Sequence, residues 1–152
     1  MKRFKFSLET VLNYKNQILD DLKREHRLIL NEIAVKEAEI DGLEQEWEEK
    51  SAEFNQKKKE GIAVPGALSY STHLRVAQEH IKDEYKNLDE IKKREESKRT
   101  EVVSARIETS SLEKLKEKRL EEHAEQERKE TENFIEEFVK STRAAAKVPA
   151  AT

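Results

Sequence analysis

Gly61-Ile62-Ala63-Val64-Pro65-Gly66-Ala67-Leu68-Ser69-Tyr70-Ser71-Thr72-His73 contains no Lys, Arg, Asp or Glu. It lies mid-way along a chain of 152 residues, 41% of them charged, against about a quarter in an ordinary globular protein. The stretch also holds two of the three glycines and one of the two prolines. Gly61 can take the left-handed conformation that ends a helix. Lys57, Lys58 and Lys59 precede it, where cations suit a helix C-terminus. Pro65-Gly66 is a turn dipeptide, and Ser69, Ser71 or Thr72 can cap a following helix. The segment is the one strong break before Pro149. The chain therefore reads as a single all-α coiled-coil domain: helix one over about 7–60, a turn over about 61–73, helix two over about 74–141 and a frayed tail over 142–152.

Working outward, each arm carries a heptad. In helix one the a line is Leu12, Leu19, His26, Ile33, Ile40, Trp47 and Phe54, and the d line is Leu8, Lys15, Leu22, Ile29, Lys36, Leu43 and Lys50. Most of these positions are apolar, a coiled-coil signal sustained over the whole arm. In helix two the a line is Leu74, Ile81, Leu88, Glu95, Val102 and Thr109, and the d line is Ala77, Glu84, Ile91, Lys98, Ala105 and Leu112. Beyond Leu112 that register meets polar residues, and a shifted one collects Leu120, Ala124, Phe134 and Phe138, which predicts a stutter. Acid-before-base pairs four residues apart, such as Glu32/Lys36, Glu90/Arg94 and Glu125/Lys129, support helix on the outer faces.

Folding back at Gly66 makes the arms antiparallel, with Trp47 opposite Tyr85 and Leu43 opposite Leu88. Fifty helical residues extend on the order of 75 Å. Helix two then overruns the start of helix one. The overhang contains Phe134, Ile135, Phe138 and Val139, which either pack on Phe4 and Phe6 or form a partner surface. Leu68, Tyr70 and Leu74 either plug the end of the coiled coil or dock another protein. Lys116 to Asn133 is charged nearly all round, as suits a solvated helix or one standing in a polar hole.

Composition excludes several classes. The hydrophobic share is 35% and mean hydropathy is -0.98, too little for a conventional core. There is no cysteine, hence no disulfide framework or thiolate chemistry. No stretch approaches the ~20 apolar residues of a membrane span, and no apolar signal core follows Met1-Lys2-Arg3-Phe4-Lys5, so the cytoplasm is the default compartment. Thirty basic and thirty-three acidic side chains are interspersed, which argues against nucleic acid as a partner. His26, His73, His80 and His123 begin no HExxH motif, and the glycines form no phosphate loop. A two-helix rod has no concave site for a small molecule. Neither an enzyme nor a cofactor is expected; partner binding is. The residues alone leave open a generic structural or oligomerising coiled coil.

Met1-Lys2-Arg3-Phe4-Lys5-Phe6-Ser7-Leu8-Glu9-Thr10-Val11-Leu12 resembles the start of the flagellar FliJ family, whose members often open with two spaced phenylalanines and a Leu-Glu-x-Val-Leu run. Gly61-Ile62 followed by Tyr70, Leu74 and Ile81 is similar to the family's turn region. The charged stretch from Leu112 through Glu130 is similar to its C-terminal region. The resemblance implies an antiparallel coiled coil like the central stalk of rotary ATPases. Such a stalk belongs to the flagellar type III export apparatus and sits peripherally at the cytoplasmic face of the cell membrane. It implies a hexameric export ATPase, a membrane export-gate protein and escort chaperones as partners, and a monomer when free. The equivalent stalk of a virulence-type secretion system or of a rotary ATPase is the neighbouring reading.

By position, the ATPase-facing ends would comprise Phe4, Phe6, Leu8, Val11, Leu12 and Lys15, with Lys116, Arg119, Leu120, Arg128, Phe134, Ile135 and Phe138. The gate-facing tip would comprise Leu68, Tyr70, His73, Leu74 and Ala77. The family places bulky apolar residues on the gate-facing surface, where this chain has His73 and Ala77.

Overall fold

Gly61 ends the first helix. Its φ of 100° is the left-handed conformation, and its N–H donates to Lys57 O at 3.0 Å, the bond that closes a helix at a C-terminal glycine. In the computed structural model, which describes residues 2–147, α1 is Glu9–Glu60 and α2 is Val64–Ala146. The fold is an all-α antiparallel coiled-coil hairpin.

The connector is shorter than the sequence suggested. Only Gly61-Ile62-Ala63 is non-helical, so residues 64–73, expected in the turn, belong to α2. Pro65 sits in the first helical turn, where a backbone N–H has no acceptor to lose and the proline φ is already helical. Ala63 O accepts the N–H of Ala67 at 3.1 Å, so Ser69, Ser71 and Thr72 cap nothing. A side chain on Gly66 would meet Ile62 at 3.3 Å; glycine lets the new helix lean on the connector. At the other end α2 continues past the expected stop near 141 to Ala146, because Ala144, Ala145 and Ala146 are strong helix formers. Residues 148–152 of the expected tail lie outside the described residues. Ser7 and Leu8 form a turn ahead of α1.

The earlier start of α2 moves the register. Trp47 is not opposite Tyr85: its Nε1 donates to Leu74 O at 3.1 Å, while Tyr85 donates its hydroxyl to Glu44. Leu43 shares a cavity wall with Ile81 rather than Leu88. The displacement is about two to three helical turns. The Glu53–Tyr70 and Glu25–Lys98 contacts centre the hairpin on Gly61–Ile62.

By internal packing the chain divides into two units, Leu19–Ser104 and Met1–Ile18 with Ala105–Thr152. In the first, Leu19, Ile29, Ile40, Phe54, Leu88 and Val102 are buried, all on the a and d lines. Two polar interruptions of each seam meet across the helices. His26 Nε2 lies 2.9 Å from Glu95 Oε1, and Lys36 Nζ lies 2.7 Å from Glu84 Oε2. Such a pair in a seam sets register, since a slip leaves both groups without a partner. Interhelix pairing also overrides the expected Glu32/Lys36 and Glu90/Arg94 pairs: Arg94 reaches Glu32 at 2.7 Å instead.

In the second unit Leu12, Ala105 and Thr109 are buried. Lys15 Nζ lies 2.8 Å from Glu108. The expected phase shift does not occur. Lys116 and His123 continue the original line half-buried, and Leu120 is exposed. Ion pairing of Lys116 and ring packing of His123 make these polar side chains serve as seam residues. From Arg128 onward every described residue is exposed.

Two outcomes follow from this seam. Ile40 is 3% exposed and Leu28 is 62% exposed, so in denaturant titrations Ile40→Ala is expected to cost about 2–5 kcal/mol and Leu28→Ala under about 0.5 kcal/mol. The hydrogen bond from Lys36 holds the Glu84 carboxyl below its ordinary 4.5, and the bond to Glu84 raises Lys36 above 10.5. Their contribution is therefore present between those two ordinary values. It is lost as pH falls through the lowered Glu84 pKa, or rises through the raised Lys36 pKa. Glu84→Gln is expected to lower the melting temperature at neutral pH, and its difference from wild type should close on acidification.

Candidate functional site: interaction surfaces at the chain ends and at the turn

In the terminal unit, side chains of α2 hold the start of α1 and the segment before it. Lys116 Nζ lies 2.9 Å from Glu9 Oε1 and 2.8 Å from its Oε2, a two-point clamp. Glu9 is also the acid in the first turn of α1, where a carboxylate suits the helix dipole. His123 lies edge-on to Phe4, ring centroids 5.5 Å apart at 61°, and its Nε2 is 3.1 Å from Lys2 O. Phe4 and Phe6 are half-buried, Leu8 and Val11 exposed. Leu12 is 4% exposed and so belongs to the seam, with little surface to offer a partner. The bond to Glu108 raises the Lys15 pKa. Arg119 and Arg128 point to solvent, near Glu122 at 3.4 Å and Glu132 at 3.9 Å respectively.

The apolar residues of the terminal α2 segment are uncovered. Phe134, Ile135 and Phe138 are 69%, 54% and 64% exposed. They do not pack on Phe4 or Phe6, because Phe4 is engaged further back, at His123. Spaced i, i+1 and i+4, they share one face of the helix. Their neighbours Glu132, Glu136, Glu137 and Lys140 are charged.

Near the turn, Tyr70 stacks on Phe54, centroids 5.1 Å apart and planes 8° from parallel. Its hydroxyl donates to Glu53 at 2.9 Å, and this bond lowers the Glu53 pKa. Lys57 Nζ lies 5.6 Å from the Tyr70 ring centroid and Lys58 Nζ 4.0 Å from that of Phe54. Tyr70 and Leu74 are half-buried and do plug the seam, whereas Leu68 stands out at 62% exposed. His73 and Ala77 line a cavity of about 60 Å³ with Trp47, Lys50 and His80. Ala77 is half-buried and His73 exposed.

Among the described residues no three His, Asp or Glu side chains converge as a metal site would need, and no helix is long and apolar enough to cross a membrane. The surfaces on view offer apolar and charged contacts to other molecules.

The family model for the flagellar FliJ protein matches residues 4–144. The chain belongs to the FliJ family. No curated protein and no solved structure matches it. Membership makes this a protein associated with flagellar export. The match begins at Phe4 and ends two residues short of the last residue of α2, so it takes in both surfaces. Sequence reading of the family resemblance missed Glu9 and His123 as the residues that dock the N-terminal segment. His123 stood on the helix-two a line, and Lys116 on the same line seven residues earlier. That spacing was the signal.

His123→Ala is expected to release the N-terminal segment. Trypsin should then cut at Arg3 and Lys5 several-fold faster, with helix content by circular dichroism unchanged.

Proposed function

We propose that this FliJ-family chain is the non-enzymatic stalk of the flagellar type III export apparatus. The terminal unit enters the hexameric export ATPase and promotes its assembly, and the turn end faces the membrane export-gate protein. Escort chaperones of flagellar subunits are further partners, and the free protein is a monomer. The location is the cytoplasmic face of the membrane at the flagellar base. The role needs no cofactor and acts by binding alone.

One observation carries this reading: three large apolar side chains, Phe134, Ile135 and Phe138, uncovered together on one face of a terminal segment that is otherwise mostly charged. Apolar groups grouped on one face gain free energy only when another surface removes them from water. The stretch from Lys116 to Asn133 complements them. Its Arg119, Arg128 and Lys129 pair along the helix with Glu122, Glu132 and Glu125, so it presents charge to all sides. Such a helix suits a polar channel that must hold it without gripping. Phe4 and Phe6, half-buried against the same unit, add apolar surface at the other chain end. Lys15, Leu8, Val11 and Leu120 complete the ATPase-facing set, and Leu12 acts indirectly by fixing the seam beneath them.

The gate-facing set is Leu68, Tyr70, His73, Leu74 and Ala77. Leu68 is exposed there, and the half-buried Tyr70 and Leu74 hold the helix that presents it.

The test is stimulation of the hexameric export ATPase by the full chain. Combined replacement of Phe134, Ile135 and Phe138 by Ala preserves helix propensity and removes no internal contact. It is expected to reduce stimulation at least ten-fold while leaving the melting temperature within a degree or two. Undiminished stimulation would remove these three side chains from the contact.

A further inference from the structure

We infer that the turn end is a docking surface for anionic phospholipid headgroups. A polybasic run is by itself a weak membrane signal, and stable attachment takes a second, apolar one. Both occur within about two helical turns of Gly61. Lys57, Lys58 and Lys59 form the last turn of α1. Val64 and Leu68, one turn apart at the start of α2, are 72% and 62% exposed. Between Lys59 and Val64 lie Glu60 and the uncharged Gly61-Ile62-Ala63.

Charge changes sign along α1. Residues 31–49 hold eight acids, Glu32, Glu37, Glu39, Asp41, Glu44, Glu46, Glu48 and Glu49, against the single base Lys36. Residues 50–73 hold four bases, Lys50, Lys57, Lys58 and Lys59, against Glu53 and Glu60. Those two acids are engaged locally. Glu53 accepts from Tyr70 at 2.9 Å and lies 3.4 Å from Lys50, and Glu60 accepts from Gln56 at 3.1 Å. An anionic surface therefore attracts the turn and repels the acidic stretch behind it, which orients the molecule turn-first. Lys57 and Lys58 lie over the Tyr70 and Phe54 rings, which keeps their ammonium groups beside apolar surface, as at a lipid interface.

This inference goes beyond the ATPase reading and does not depend on it; it adds a lipid contact to the turn end, where it shares Leu68 with the proposed gate-facing set. Phosphatidylglycerol is the headgroup used to test it.

The full chain is sedimented with vesicles of phosphatidylcholine alone and with vesicles containing phosphatidylglycerol. Binding is expected only to the anionic vesicles, and to weaken as salt shortens the screening length. Replacing Lys57, Lys58 and Lys59 together by Gln should weaken binding about a hundred-fold, at about five-fold per lysine. Replacing them by Arg should preserve it, which separates charge from any effect on folding. Val64→Glu with Leu68→Glu should abolish binding with unchanged circular dichroism. No binding, equal binding to neutral vesicles, or binding indifferent to these variants overturns the inference and leaves the turn to a protein partner. ATPase stimulation by the lysine variants should stay at the wild-type level.

Discussion

A seam too narrow to specify itself is the governing constraint. Two facing lines of apolar side chains can be slid past one another by a heptad at modest cost, because one Leu or Ile buries much like the next. The pairs His26–Glu95 and Lys36–Glu84 remove that freedom. In a register slipped by one heptad each of these groups faces apolar side chains, and a polar group without a partner in a seam is costly. Apolar burial makes the helices associate; the polar interruptions decide where.

That division of labour explains what could be read in advance. The a and d lines were legible because heptad periodicity survives in a highly charged chain, and from Leu12 to Phe54 every such position is buried or half-buried. The turn was located to within a few residues, yet its extent was not. An uncharged stretch with Pro and Gly looks like loop, but Pro65 is at home in a first helical turn, and nothing between Ala67 and His73 opposes helix. The wrong extent then misplaced Trp47 against Tyr85. The information to correct it was present. His26 and Lys36 interrupt one seam, Glu84 and Glu95 the other, and matching these polar positions centres the hairpin one residue before Gly61.

The surfaces were less legible than the fold. The overhang left Phe134, Ile135 and Phe138 either packed on Phe4 and Phe6 or uncovered, and the structure leaves them uncovered; burial of Leu12 follows from the seam and separates it from its neighbours Leu8 and Val11. At the turn, Tyr70 and Leu68 are close in sequence yet differ in kind: one stacks on Phe54, the other faces solvent. Composition cannot make that distinction, because it depends on which side of α2 meets α1. Family membership supplies the flagellar context, while the residues show what each end has to offer.

The separations along the chain between bonded partners carry a further consequence. Tyr70 and Glu53 are 17 residues apart, His26 and Glu95 are 69 apart, and His123 and Lys2 are 121 apart. Loop-closure entropy rises with the length enclosed, so the contacts beside Gly61 form from the smallest loops and each shortens the next closure. Assembly thus runs like a zip from the bend outward, and thermal opening runs back from the N-terminal clasp at His123. The extremities are then the last part to settle and the first to breathe.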